Sequence, residues 1–213
     1  MNEIRNEAKH RFLARADAYR LLAACYYEPD PGYLEEDVFG QLHAALEALS
    51  PDGVGAGKDL GARFREAGQE ALMLDYSGLF LGPFGILAKP YGSTYLDGER
   101  VVMGESTLEA LALYRQGGFQ VAEAFQEMPD HVAVELEFLY LLNLNLGNAI
   151  ATAESSGLDG LKRTFLEAHL GRWIGPFTEA MGRGATTDFY RNLAGVTRQV
   201  VLEDLQEPRA SQP

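Results

Sequence analysis

The chain has 213 residues, 46% of them apolar, which suffices for one large domain or two smaller halves sharing a core. Its 18 Lys and Arg against 31 Asp and Glu leave a net charge of −13, which repels nucleic-acid phosphates and anionic lipid and excludes those partners. Cys25 is the single cysteine, which rules out a disulfide framework and a thiolate-rich metal site, and its setting in "LLAACYY" is that of a small buried hydrophobe.

The start, "MNEIRNEAKHRFLARADAYR", is charged and mixed in sign, without the apolar core of a secretory signal. No apolar run approaches the ~20 residues that span a bilayer. A cytoplasmic protein with no membrane insertion is the expectation. Phe12, Leu13, Ala16, Tyr19, Ala23 and Tyr26 recur at three- and four-residue steps and predict a helix over about 6–27, stopped by Pro29 and Pro31. A second helix is expected over 34–49. "SPDGVGAGKDLG" reads as a flexible loop, and helical spacing returns over about 60–81. The stretch "GPFGILAKPYGSTYLDGERVVMGES" is too rich in Gly and Pro for a long helix. "STLEALALYRQGG" then offers Ser106 as N-cap and Gly117-Gly118 as a stop.

"EMPDH" at 127–131 sets acids, a proline and a histidine at the mouth of "VAVELEFLYLLNLNL". Those residue types fit three uses: a catalytic or metal site, a hinge and helix start, or an acidic rim beside an apolar groove. Val134, Leu136, Phe138, Tyr140, Leu142, Leu144 and Leu146 alternate as a half-buried strand would. The run is too long for a strand of ~5–6 residues, and Leu and Glu dominate it. A helix apolar around most of its circumference, starting near Pro129 and lying centrally, is the better reading. Two more helices follow. One carries Leu161, Phe165, His169, Trp173 and Phe177 on one stripe, and the other starts at Thr187 or Asp188. The tail 207–213, "EPRASQP", is expected to be disordered. The fold class is all-α.

Most chemistry fails on spacing. "GVGAGKD" is one residue short of a phosphate-binding loop, has Asp59 where a hydroxyl should hold magnesium, and follows no strand. A carboxylate-bridged metal site in a bundle needs paired E-x-x-H motifs, and the chain offers only Glu7 to His10. Glu127, His131 and Glu135 remain as the candidate ligands of a metalloenzyme, the rival reading. Asp130 and His131 form an acid/base pair with no nucleophile in view.

Four stretches in order, "YSGLFLGP" (76–83), "KPYGSTYL" (89–96), "EMPDHVAVELEFLYLL" (127–142) and "FLEAHLGRWIGPF" (165–177), resemble the TorD/DmsD/NarJ family of cytoplasmic chaperones for molybdoenzyme maturation. The likeness runs through most of the chain. It implies a TorD-like helical bundle with a part at 1–126, a hinge at 127–131 and a part at 132–206. It also implies a non-enzymatic chaperone that binds the twin-arginine signal peptide, or another terminal segment, of a molybdopterin-containing catalytic subunit until its cofactor is inserted. No cofactor is implied beyond the weak guanine-nucleotide binding linked to some members, and the chain is either a monomer or a domain-swapped homodimer. The matching binding positions are Tyr76, Leu79, Phe80, Phe84, Tyr91, Tyr95, Gly104, Pro129, Asp130 and His131, with Glu127 in the hinge and Tyr26 a weaker candidate. The family often has Glu where this chain has Gly92.

Physical chemistry points the same way. Two guanidiniums followed by an apolar stretch need carboxylates beside an aromatic groove. Asp130 is the carboxylate expected to take a guanidinium, and the aromatics offer cation–π faces worth ~0.5–2 kcal/mol each. Leu79 and Phe80 are expected to be partly core, Tyr91 and Tyr95 exposed, and His169 and Trp173 to brace the last helices. This expectation requires Asp130 to be accessible beside Tyr91 and Tyr95.

Overall fold

A computed structural model describes residues 2–50, 54–82, 85–98, 101, 103–122, 127–149 and 153–207. These residues are helical apart from their connections, with a single isolated antiparallel bridge between Tyr91 and His131. The helices are α1 (Asn2–Ala24), α2 (Gly32–Glu35), α3 (Val38–Leu49), α4 (Val54–Tyr76), α5 (Ser93–Leu96), α6 (Glu105–Gln116), α7 (Val132–Ala149), α8 (Ala153–Phe165), α9 (Gly171–Gly184) and α10 (Asp188–Gln206). A π-helical turn, Ser77–Leu81, continues α4, and another, Leu166–Leu170, joins α8 to α9. Among the described residues no helix is long and apolar enough to cross a membrane.

Helix α7 is the central element, as its all-round apolar sequence requires. Val132, Ala133, Leu136, Phe138, Leu139, Leu142 and Leu146 are all buried, and they cover most of its circumference. Helix α1 lies against it. At Gly147 an added Cβ would come within 2.9 Å of the Leu13 side chain, so the missing side chain makes room for α1. Tyr114 of α6 and Phe165 of α8 meet Phe138 of α7 at ring separations of 4.7 and 5.0 Å. A second knot of rings joins α3, α4 and α10. Phe39 and Phe64 are 5.0 Å apart, and Phe189 stands edge-on to Phe64 at 5.1 Å. Helices from both sides of residues 127–131 contribute to one continuous cluster of buried side chains.

The helix stretches follow the periodicity, and several boundaries differ from it for local reasons. The expected helix over 34–49 is broken at Asp37, which adopts a left-handed conformation (φ 53°). The loop expected at 50–61 is helical from Val54 onward, where α4 begins. Inside α4, Gly68 leaves helical geometry at φ 73°, which a residue without a Cβ tolerates. Ser106 does not cap α6. Its N–H and hydroxyl both donate to the Asp97 carboxylate at 3.1 and 2.7 Å, so Asp97 satisfies the helix start from outside. Helix α7 starts at Val132, with Pro129 and Asp130 in the preceding turn. Thr187 does cap α10, as expected. Of the tail expected to be disordered, 208–213 lie outside the described residues.

Candidate functional site

The segment 127–131 is held by the loop 90–93 through main-chain and side-chain hydrogen bonds. Pro90 lacks an N–H, but its carbonyl accepts from Val132 N–H at 2.8 Å, while Gly92 N–H donates to the Asp130 carbonyl at 2.9 Å. These two bonds make the Tyr91–His131 bridge. Asp130 turns inward and its Oδ2 accepts from Ser93 N–H at 2.8 Å. Its side chain is 0% exposed, and Oδ1 has no hydrogen-bond partner. The sequence reading needed Asp130 to be accessible, and this is corrected: the loop backbone engages the carboxylate and seals it below the surface. Pro129 is half-buried, its carbonyl accepting from the Tyr114 hydroxyl at 2.9 Å.

The carboxylate that stands above this corner is Glu127. Its Oε2 accepts from the Tyr91 hydroxyl at 2.7 Å. Around it gather half-buried tyrosines from three distant parts of the chain: Tyr27 from the end of α1, Tyr76 from the end of α4, and Tyr91. The His131 ring organises two of them, stacked on Tyr27 at 6.4 Å and edge-on to Tyr91 at 5.4 Å. Partial burial raises all three phenols, and Glu127 adds to the effect in each case. Glu137 accepts from the Tyr27 hydroxyl at 2.8 Å, and Glu28 lies close enough to reinforce the shift on Tyr76. The corner is thus a rim of carboxylates over aromatic faces. His131 itself is buried, which lowers its pKa to about 4, and its Nδ1 accepts from Ala133 N–H at 3.2 Å.

Beneath the rim lies a dry polar triad. Glu135 of α7 bonds His169 of the second π turn at 2.8 Å and accepts from the Trp173 indole at 3.1 Å. Burial opposes the His169 cation, and the adjoining Glu135 carboxylate more than offsets this, so the imidazole pKa is raised. Tyr95 stacks on Trp173 at 5.7 Å and leans on Phe177. Gly92 faces the triad: a Cβ there would stand 3.0 Å from the Trp173 indole nitrogen and 3.1 Å from a Glu135 oxygen.

The other candidates divide clearly. Leu79 and Phe80 are buried, Phe80 among Tyr26, Tyr76, Phe177 and Tyr190. Tyr26 is core as well, its hydroxyl bonded to Thr197. Tyr76, Tyr91 and Tyr95 keep partly accessible faces. Gly104 makes room for Asp97, whose carboxylate a Cβ would strike, so its place is accounted for by the start of α6. Phe84 lies outside the described residues. The rival metal set does not converge: Glu127 bonds Tyr91, Glu135 bonds His169 and Trp173, and His131 bonds Ala133. Among the described residues no group of His, Cys, Asp and Glu could hold a metal ion.

The four stretches quoted above thus meet at one corner, joined by the Ser93–Asp130, Gly92–Asp130 and Glu135–Trp173 bonds and by the Tyr76–Phe80–Phe177 rings. The family described as nitrate reductase delta subunit matches residues 34–179, which contain all four. The chain belongs to this family. It is 29% identical over 204 residues to the Tat proofreading chaperone DmsD of Salmonella typhi, covering 90% of this chain and 91% of that one. It is 30% identical over 142 residues to the chaperone protein TorD of Shewanella pealeana, covering 63% of this chain and 59% of TorD's length. A redox enzyme maturation protein of Archaeoglobus fulgidus shares the fold, with a TM-score of 0.56 at 23% identity over 88% of this chain and 93% of that one. These relatives of the nitrate reductase delta family are named as chaperones or maturation proteins, not as enzymes.

Sequence reasoning gave the guanidinium to Asp130 rather than to the half-buried Glu127, and did not single out Tyr27, Glu28 or Glu137. "CYYEPD" did carry a signal, two tyrosines and an acid directly before helix-stopping prolines. Only the packing of α1 on α7 brings them to the segment 127–131.

Proposed function

We propose that this protein is a non-enzymatic chaperone that recognises the twin-arginine leader, or a comparable basic and apolar terminal segment, of a molybdenum-containing redox subunit before export. That role would place it in the cytoplasm, and it calls for no cofactor of its own. The observation that carries the reading is the gathering of Tyr27, Tyr76 and Tyr91 around Glu127 at the hinge. A guanidinium can lie flat on a tyrosine while pairing with a carboxylate, and Glu127, Glu28 and Glu137 supply the charge. The orphaned Asp130 Oδ1 adds a second element. An unpaired buried carboxylate oxygen costs about 1–3 kcal/mol, and a donor reaching it through a loosened hinge would recover that. The segment 127–131 is also where we place the exchange point of a swapped dimer.

Titration calorimetry with a synthetic peptide bearing two adjacent arginines and an apolar run tests the proposal. Saturable binding is expected, weakened about tenfold by Glu127→Gln through loss of a charge-assisted hydrogen bond. A peptide that fails to bind, or that binds the variant equally well, would overturn it.

A further inference from the structure

Away from the hinge, a cavity of about 250 Å³ opens between the amino-terminal half of α1, α8 and the end of α10. Ala8, Phe12, Leu166 and Leu205 give it an apolar wall. Arg11, Arg15, Lys162 and Arg163 also line it, an unusual gathering of cations on a chain of net charge −13. Asp204 answers two of them at once: its Oδ1 accepts from Arg15 and from Lys162, each at 2.9 Å, while Oδ2 takes the Tyr19 hydroxyl. Arg15 is 4% exposed, and its Nε–H finds no acceptor.

Arg163 is paired with Glu167 at 2.6 Å, and Glu207 meets the other two guanidiniums. Its carboxylate pairs with Arg15 and with Arg11, the latter at 2.6 Å. Asp159 lies on the cavity lining as a further acid. Glu207 follows the last turn of α10, its carboxylate reaches inward from the cavity mouth, and its side chain keeps partial contact with solvent. The chain's own carboxylate therefore occupies the anion position of a hollow that has one charged wall and one apolar wall.

We propose that this cavity is a binding site for a small amphiphilic anion, whose carboxylate or phosphate head replaces the Glu207 side chain on Arg11 and Arg15 while its apolar body lies along Phe12, Leu166 and Leu205. The volume falls below the ~300–1,000 Å³ of sites for drug-sized molecules, which sets the ligand's scale. Guanidiniums suit the head group because they pair bidentately with either anion. No residue of this site belongs to the corner at 127–131, so the two proposals stand or fall separately.

Calorimetry on the full chain with octanoate and with octyl phosphate tests it, with acetate and inorganic phosphate as headgroup-only probes. Saturable one-to-one binding is expected for at least one amphiphile. Glu207→Gln should tighten it about tenfold by removing the competitor, and Arg11→Gln should weaken it about tenfold. Both substitutions sit at the solvent-facing mouth, and thermal melts confirm that the variants fold. Preference for one amphiphile identifies the head group. Absence of saturation on both wild type and Glu207→Gln overturns the site, as does an affinity that neither variant moves. Equal binding of acetate or inorganic phosphate overturns the role of the apolar wall.

Discussion

His131 concentrates the physics of the corner in one ring. Stacked on Tyr27, edge-on to Tyr91 and accepting from Ala133 N–H, it is built to be neutral, and burial depresses its pKa from 6.5 to about 4 despite Glu127 and Asp130 nearby. The unfolded chain therefore binds a proton that the folded chain refuses between those values. The contribution is whole above pH 6.5 and is lost as pH falls toward 4. From pH 7 to pH 5 the wild type should lose roughly 2 kcal/mol more stability than His131→Gln, as read from urea midpoints at the two pH values. Equal losses would show the ring to be a bystander. His169 cannot mimic the effect: its raised pKa makes its contribution full in acid and lost on the alkaline side. Legibility at this scale was uneven. The start of a central helix just after "EMPDH" and the core placement of Leu79 could be read from residue type and spacing. The inward turn of Asp130 could not, since it depends on a backbone N–H contributed by Ser93, thirty-odd positions away in the chain.

Among the elements, the join between α4 and α10 is decided by one buried acid. Asp75 lies at the end of α4 and accepts from the N–H of Thr186 at 3.0 Å, the N–H of Thr187 at 2.7 Å and the Thr187 hydroxyl at 2.7 Å. It thereby supplies the amino end of α10 with acceptors from another helix. Asp75→Ala should cost about 3 kcal/mol in urea unfolding with an unchanged m-value, by leaving the donors unsatisfied. A loss under about 1 kcal/mol would mean that water replaces the carboxylate. Leu60, Phe64 and Leu72 of α4 point into the core, and Asp75 continues that stripe, so an acid among apolar positions was a visible clue. The breaks at Asp37 and Gly68 and the two π turns were not visible. Periodicity reports the face a helix buries, and is insensitive to one displaced residue.

Over the molecule as a whole, apolar exposure is unevenly distributed. Leu74, Leu81 and Leu87 are 69%, 58% and 56% exposed, and Val101, Met103 and Leu108 join them within the same third of the chain; Leu34 is the other large exposed hydrophobic among the described residues. Scattered exposed leucines need no explanation, whereas a concentration within residues 74–108, the part of the chain that also supplies Tyr76 and Tyr91, makes these side chains the ones to test for contact with the apolar run of a bound segment. Leu81→Ser with Leu87→Ser should leave the melting temperature nearly unchanged and weaken a two-arginine peptide about fivefold. The same peptide shortened to its basic part should be indifferent to the pair, and a loss for both peptides would place the apolar contact elsewhere. The all-α class and the central place of α7 were legible from composition and length. Which surface stayed bare depended on how the helices packed.

Gly92 has a consequence for grafting between relatives. Its missing side chain leaves the indole and the Glu135 oxygen directly opposite the backbone. A glutamate there would introduce a second negative group into a buried space that already holds one. A segment grafted onto this chain therefore needs a small residue at 92, unless the incoming side chain can turn away from Glu135.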